Sequence, residues 1–241
     1  MNYVFSKKKV EVGDRGFVIG NRFIPVQNDS NKIYGPTEGL VFYIPLDKDE
    51  LVMKTGQTLT KTGTIVYQEY NGVPCAYFNG SCSLNTYDRK ELDAILETQQ
   101  LTLSFWIYLS RNDFYDSPCF VMRGNGNDRV YGQYEVAGGG KIEFFGGNDE
   151  YTYNLSIYLN EDFFGRWVHI CQIGGNGVLK VYFDGVLQGS RSKENFHDTN
   201  ESFKVGSWEY GGYKGYMSSI RIYNRVLTED EISLLANEFD V

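Results

Sequence analysis

Tyr115, Arg123, Asn125, Asn127 and Tyr131 fall in two neighbouring stretches, SRNDFYDSP (110–118) and RGNGNDRVYGQY (123–134). Trp208, Tyr210 and Tyr213 lie among glycines in SWEYGGYKGY (207–216). Aromatic rings stack on the apolar faces of sugars, while Asn, Asp and Arg side chains hydrogen-bond sugar hydroxyls. Such residues on glycine-rich loops suit the rim of a binding site. These eight are the candidate carbohydrate contacts. The chain holds 19 tyrosines, so other rings are expected simply to cover sheet surface.

Other chemistry finds less material. Retaining glycoside hydrolysis needs two carboxyl groups facing each other across the scissile bond. The nearest acidic run is ELDAILE, with Glu91, Asp93 and Glu97, which reads as a solvated loop or short helix. With only His169 and His197 available, no Ser/His/Asp set is identifiable. DFFG (162–165) lacks the other loops of a kinase. RGNGN (123–127) lacks the Lys-Ser/Thr and the helix of a phosphate loop. The four cysteines, Cys75, Cys82, Cys119 and Cys171, form no CxxC pair. They are expected to be reduced and buried as small apolar residues. If Asn79-Gly80 is a two-residue hairpin loop, Cys82 lies opposite Tyr77 and Cys75 opposite Leu84, unpaired.

The elements that must position these residues are mostly strands. In QLTLSFWIYLS, Leu101, Leu103, Phe105, Ile107 and Leu109 alternate with Thr102, Ser104, Trp106, Tyr108 and Ser110. A period of two marks a strand with one core face. In VLKVYFDGVLQG, Asp184-Gly185 separates two apolar runs and signals a hairpin. Further strands are expected at GLVFYIPL, TIVYQEY, CAYFNG, CFVMRG, RVYGQYEV, KIEFFGG, YNLSIYL, RWVHICQI, SFKVGS and YMSSIRIYN. There is no βαβ alternation, so an all-β sandwich is expected. One helix closes the chain, with Thr228 and Glu231 as a capping box and Ile232, Leu235 and Phe239 as its apolar stripe. Residues 1–38 carry six basic and four acidic residues ahead of a body with 17 basic and 27 acidic ones. They read as an arm or short hairpin that attaches a compact domain, 39–241, to a partner.

Five segments in order give the chain its likeness. GLVFYIPLDKDE (39–50), CAYFNGSCSLNT (75–86), LTLSFWIYLS (101–110), RWVHICQIGGNGVLKVYFDGVLQGS (166–190) and GYMSSIRIYNRVLTEDEISLLANEF (215–239) resemble the laminin-G-like, concanavalin A-like lectin/glucanase domains, pentraxin-like modules included. Trp-x-His with Val-Tyr-x-Asp-Gly, and Arg-Ile-Tyr-Asn-Arg-x-Leu before a capped helix, are the specific motifs. The resemblance implies a jelly roll of two packed antiparallel sheets, one concave. Trp167 and His169 are expected as a packed core pair with His169 bonded to backbone. Asp184 is expected to shape its turn, and Arg221 either to form a salt bridge or to line the concave face. Ser218 stands where the family often has an acidic residue. ELDAILE departs from the glucanase strand motif Glu-x-Asp-x-x-Glu by one residue, which argues against an enzyme. The resemblance also implies calcium, for which the oxygen donors available are Asp47, Asp49, Asn79, Asp88 and Asp113.

The formal charge is −8 with no basic stripe, which argues against nucleic acid. No apolar run is long enough for a membrane helix, and MNYVFSKKKVEV has no apolar stretch behind its lysines, unlike a signal peptide. The expected function is a non-enzymatic glycan-binding or adhesion module. The expected setting is a phage virion, as a fibre or capsid decoration folded in bacterial cytoplasm. It would contact other virion or surface proteins through residues 1–38 and could form a homo-oligomer. The alternative is a bacterial surface or secreted glycan-binding module, with a divergent glycosidase behind it.

Overall fold

The computed structural model describes residues 2–5, 8–13, 16–19, 22–24, 34–51, 53–86, 89–110, 117–122, 134–137, 141–145, 154–192, 203–208 and 211–239. The chain divides into two compact units, Met1–Tyr34 and Gly35–Val241. The first is a four-stranded antiparallel meander in the order β1 (Asn2–Phe5), β2 (Lys8–Gly13), β3 (Gly16–Ile19), β4 (Arg22–Ile24). GFVI and RFI are thus paired strands, with Phe17 opposite Ile24 and Val18 opposite Phe23. The boundary falls four residues before the expected one. The Tyr223 hydroxyl donates to Pro36 O (3.1 Å) and Arg225 Nε to Glu38 O (2.8 Å), which fixes 35–38 to the second unit.

The second unit is a sandwich of two antiparallel sheets. Its elements in chain order are β5 (Leu40–Ile44), β6 (Thr60–Thr62), β7 (Val66–Tyr70), β8 (Val73–Asn79), β9 (Ser83–Thr86), α1 (Arg89–Thr98), β10 (Leu101–Leu109), β11 (Ser117–Met122), β12 (Tyr134–Ala137), β13 (Lys141–Phe145) and β14 (Asn154–Tyr158). There follow a 3-10 turn at Glu161–Phe163, β15 (Arg166–Gly175), β16 (Val178–Phe183), β17 (Val186–Ser192), β18 (Phe203–Val205), β19 (Ser207–Trp208), β20 (Gly211–Gly212), β21 (Lys214–Tyr223) and α2 (Glu229–Leu235). One sheet runs β17-β16-β15-β10-β21-β8-β7, with β5 also on β21. The other runs β14-β13-β12-β11-β18-β9-β6. The core lies between them, where Phe42 stacks on Phe203 (5.5 Å) and Phe144 meets Phe183 (6.3 Å).

Several expectations hold. The capping box of Thr228 and Glu231 opens α2, and Ile232 and Leu235 are buried. Asp184 and Gly185 both take positive φ (49° and 77°), the conformation a tight hairpin needs, and join β16 to β17. Cys75, Cys82 and Cys171 are buried and free, while the Cys119 side chain lies outside the described residues.

Two details differ. Asn79-Gly80 is not a hairpin loop, because β8 pairs with β7 and β21 whereas β9 pairs with β6 and β18 in the opposite sheet. The turn is a crossover, held by Ser81 N–H on Asn79 Oδ1 (2.9 Å). ELDAILE is a short helix, as one of its two expected readings had it, within α1, whose Ile95 is buried. β10 buries both faces, since Thr102, Ser104 and Trp106 are as sealed as its leucines.

The phase of β21 depends on Ser219. Its first half pairs with β8 and its second half with β5. At the junction Ser219 takes φ 50°, and the register against β10 shifts between Ser104 and Trp106. A one-residue bulge exchanges the two faces downstream of it. Met217, Ile220 and Ile222 therefore all join the core, and Arg221 turns to the outer face.

Candidate functional site

The outer face of the larger sheet is covered in part and open in part. Its covered region holds the polar residues. Arg221, fully buried, donates from Nη1 and Nη2 to the Glu238 carboxylate (2.8 and 2.6 Å) and lies 4.2 Å over the Tyr43 ring. Phe239 packs edge-on against Trp106 (5.4 Å). Beneath them Ser104 Oγ and His169 Nε2 share a hydrogen bond of 2.8 Å. Burial first, and the Arg221 charge second, lower the His169 pKa from 6.5 to about 3. This serine–histidine contact is not a nucleophile and base. His169 is wholly buried, and its Nδ1 has no partner to orient the ring. The backbone N–H of His169 donates to Asp184 Oδ1 (2.9 Å), and Arg166 Nη2 donates to Asp184 Oδ2 (2.7 Å). The expected backbone partner for the His169 ring is thus replaced by Ser104.

The tip of the β7–β8 hairpin folds over the next part of the face. β8 pairs with β21 only over Ala76–Asn79, and the residues before that stay paired with β7 alone. Trp167 Nε1 donates to Tyr70 O (2.8 Å), and Ser218 Oγ donates to Pro74 O (2.6 Å). Val73 and Cys75 pack there on Trp106 and Trp167. Asn71 and Gly72 (φ 48° and 82°) make the turn that permits this.

Beside the tip lies an open groove of about 640 Å³, lined by Tyr70, Tyr77, Tyr108, Tyr216, Ser110 and Phe164, with Glu161 and Gly165 exposed at its rim. Tyr77 faces Tyr216 across β8 and β21, and Tyr216 faces Tyr108 across β21 and β10. Tyr70 stacks on Tyr216 (4.0 Å, 9°) and meets Tyr108 edge-on (4.9 Å). Tyr108 donates its hydroxyl to Gly165 O (2.8 Å), which ties the groove to the turn after β14. Partial burial first, and neighbouring tyrosines second, raise the Tyr216 and Tyr108 pKa values, so both hydroxyls stay protonated. Half-buried rings beside hydroxyls form a surface that is apolar on its faces and hydrogen-bonding at its edges.

The sequence matches the laminin G 3 family, described as the concanavalin A-like lectin/glucanases superfamily, over residues 83–233. The chain belongs to this superfamily. No curated protein matches it. Domain 4 of AbnA, a GH43 extracellular arabinanase from Geobacillus stearothermophilus solved with arabinotriose, superposes with a TM-score of 0.62 at 22% identity, covering 82% of this chain and 98% of that domain. The receptor-binding domain of botulinum neurotoxin C/D mosaic serotype superposes at 0.65 with 13% identity, over 83% of this chain and 51% of that one. The binding domain of Paraclostridial Mosquitocidal Protein 1 gives 0.65 with 16% identity, over 83% and 52%. The chain thus spans about half the length of these toxin domains.

The lectin/glucanase chain places its sequence-derived candidates unevenly. Tyr115, Arg123, Asn125, Asn127, Tyr131 and Tyr210 lie outside the described residues. Trp208 pairs with Gly211 in the short β19–β20 ribbon. Tyr213 is not a rim residue: it is 5% exposed, packs on Phe78 (6.1 Å) and donates to Tyr216 O (3.1 Å). Among the calcium donors, Asp47 is exposed, Asp49 is bound to Lys61, and Asn79 Oδ1 accepts from Ser81. Asp88 and Asp113 lie outside the described residues. Among the described residues no group of three or more His, Cys, Asp or Glu could hold a metal. Asp93 and Glu97 are exposed on α1.

Tyr70, Tyr77, Tyr108 and Tyr216 were among the rings expected to cover sheet surface. Three of them alternate with core residues in CAYF, FWIYL and GYM, the signal that puts them on an outer face. Pairwise register, which brings them together, is not written in any one strand.

Proposed function

We propose that the protein is a non-enzymatic carbohydrate-binding module whose glycan lies in the groove of Tyr70, Tyr77, Tyr108 and Tyr216. The observation that carries this reading is the groove itself: four half-buried tyrosine rings, open to solvent on a lectin-type sandwich. Its volume is within the range of about 300–1,000 Å³ usual for ligand sites. Two structural neighbours support the class, one solved with arabinotriose and one from a toxin whose cell entry depends on gangliosides. The lack of catalysis is supported by α1, where the ELDAILE carboxylates stand on a helix, and by the sealed His169.

The module belongs on a phage virion, as a fibre or capsid decoration. The sandwich meets host or mucosal glycans, and the meander of residues 1–34 attaches to other virion proteins. The separate compaction of the two units supports that division of labour. A second setting, a glycan-binding module of a secreted bacterial protein, is favoured by the arabinanase domain, 98% of which is covered by the match.

The test is a glycan array probed with the intact chain, followed by reducing-end release on each polysaccharide that binds. Binding without hydrolysis is expected. Hydrolysis would make the module an enzyme, and an empty array would remove carbohydrate binding.

A further inference from the structure

The arrangement of the tyrosines carries information about the shape of the ligand. Tyr77, Tyr216 and Tyr108 stand opposite one another on three adjacent strands, β8, β21 and β10, and Trp167 on β15 continues the row under the hairpin tip. Adjacent strands lie about 4.8 Å apart, so the row extends roughly 10 Å across the sheet. Tyr70 stacks on Tyr216, the middle ring of the row, and the Tyr108 hydroxyl donates to Gly165 O. A single sugar ring would leave most of the 640 Å³ unfilled.

Ring orientation narrows the shape further. Tyr77 is tilted 50° to Tyr216, and Tyr216 stands at 88° to Tyr108. A flat crystalline polysaccharide surface needs coplanar rings and would touch one of these at a time. A single chain whose sugar planes turn from unit to unit can meet them in succession.

We propose that the groove binds an internal stretch of one linear, soluble glycan chain laid across β8, β21 and β10, and does not capture a lone terminal sugar. This rests on the carbohydrate-binding reading. Tyr77 and Tyr108 contact different sugar units, and Tyr216 with its stacked partner Tyr70 forms the centre of the track. A polyproline-type peptide is the rival occupant of an aromatic groove, and it enters as an outcome of the test.

The experiment is calorimetric titration of the intact chain with arabino-, xylo-, cello- and malto-oligosaccharides, each from monosaccharide to hexasaccharide, and with a proline-rich peptide. In the recognised series Kd should fall about tenfold or more from monosaccharide to trisaccharide and then level off. Tyr77→Ala and Tyr108→Ala should each remove part of that gain. Tyr77→Phe and Tyr108→Phe should keep most of it, and melting curves check that every variant folds. A monosaccharide that binds as tightly as longer chains would overturn the internal-chain proposal and leave carbohydrate binding standing. Length dependence that survives both alanine variants would place the glycan elsewhere on the protein. Binding to the peptide alone, or to none of these probes, would overturn the proposal together with the reading beneath it.

Discussion

Arg221 and Glu238 form a two-pronged ion pair, with bonds of 2.8 and 2.6 Å, where neither side chain meets bulk water: their side chains are 0% and 7% exposed. One member stands on β21, and the other on the tail that follows α2. Burial works against the Arg221 charge, but Glu238 outweighs it and holds the guanidinium above its ordinary pKa. The arginine of the Arg-Ile-Tyr-Asn-Arg motif is therefore an anchor for the chain end.

Removing one partner should be costly. Glu238→Ala leaves a buried guanidinium without its counter-charge, which typically destabilises by about 3–5 kcal/mol. Thermal or denaturant unfolding should register that loss. Little change in stability would mean that Arg221 finds water or another acceptor.

His169 gives the sandwich a pH dependence above the carboxylate range. Its folded pKa of about 3 lies below the unfolded 6.5, so the unfolded chain binds a proton that the folded chain refuses. Stability should be complete above pH 6.5 and fall as the pH drops from there toward 3. Between pH 6.5 and 5 the slope should belong mainly to this residue. His169→Gln should flatten a plot of Tm against pH in that interval. A slope unchanged in the variant would assign the titration elsewhere.

The jelly roll was legible because its signals are local. Alternation in LTLSFWIYL, the Asp184-Gly185 turn and the Thr228 cap each lie within a few residues. Partnership across the fold was not. The burial of Thr102 comes from a segment more than a hundred residues away, where Leu227 N–H donates to Thr102 Oγ1 (3.0 Å). Asn79-Gly80 has hairpin chemistry, yet the chain changes sheets there because Cys82 and Leu84 are needed in the opposite layer. Tyr213 sits among glycines like a rim residue, but its parity on the chain turns it into the core. The groove was hidden for the same reason. Each tyrosine looks like ordinary surface cover until β8, β21 and β10 are set in register.

A second acid-sensitive contact lies at the start of α2. Hydrogen bonds from Arg225 first, against opposing partial burial and with help from the Thr228 backbone, lower the Glu231 pKa from 4.5 to about 2. Its stabilisation is present above pH 4.5 and is lost as the pH falls from 4.5 to 2. Glu231→Gln should lower Tm at neutral pH and converge with the parent near pH 2. A constant offset down to pH 2 would show that the capping geometry, not the charge, supplies the effect.

The position at which the sandwich begins can be tested by truncation. A chain starting at Gly35 keeps Pro36 O for the Tyr223 hydroxyl and Glu38 O for Arg225, whereas one starting at Gly39 loses both. Tyr223 is wholly buried, so its hydroxyl would lose a partner that water cannot easily replace. The Gly39 chain should be less stable by about 1–3 kcal/mol. Equal melting of the two would place the boundary at 38 after all.

Trp167, the tryptophan of the Trp-x-His motif, should affect binding through a residue it does not adjoin in sequence. Its indole N–H holds Tyr70 O at 2.8 Å, and Tyr70 is the ring stacked on Tyr216. Trp167→Phe keeps an aromatic ring but removes the donor, leaving the carbonyl without this partner at a cost of about 1–3 kcal/mol. The hairpin tip should then hold Tyr70 less firmly, and glycan affinity should fall even where the protein remains folded. Coupling distinguishes this route from a general loosening of the sheet. If Trp167 acts through the tip, Trp167→Phe should cost affinity in the parent and almost nothing further in a Tyr70→Ala background. Equal losses in both backgrounds would show that Trp167 reaches the ligand by another path, and that the hairpin tip is not the wall that shapes the groove.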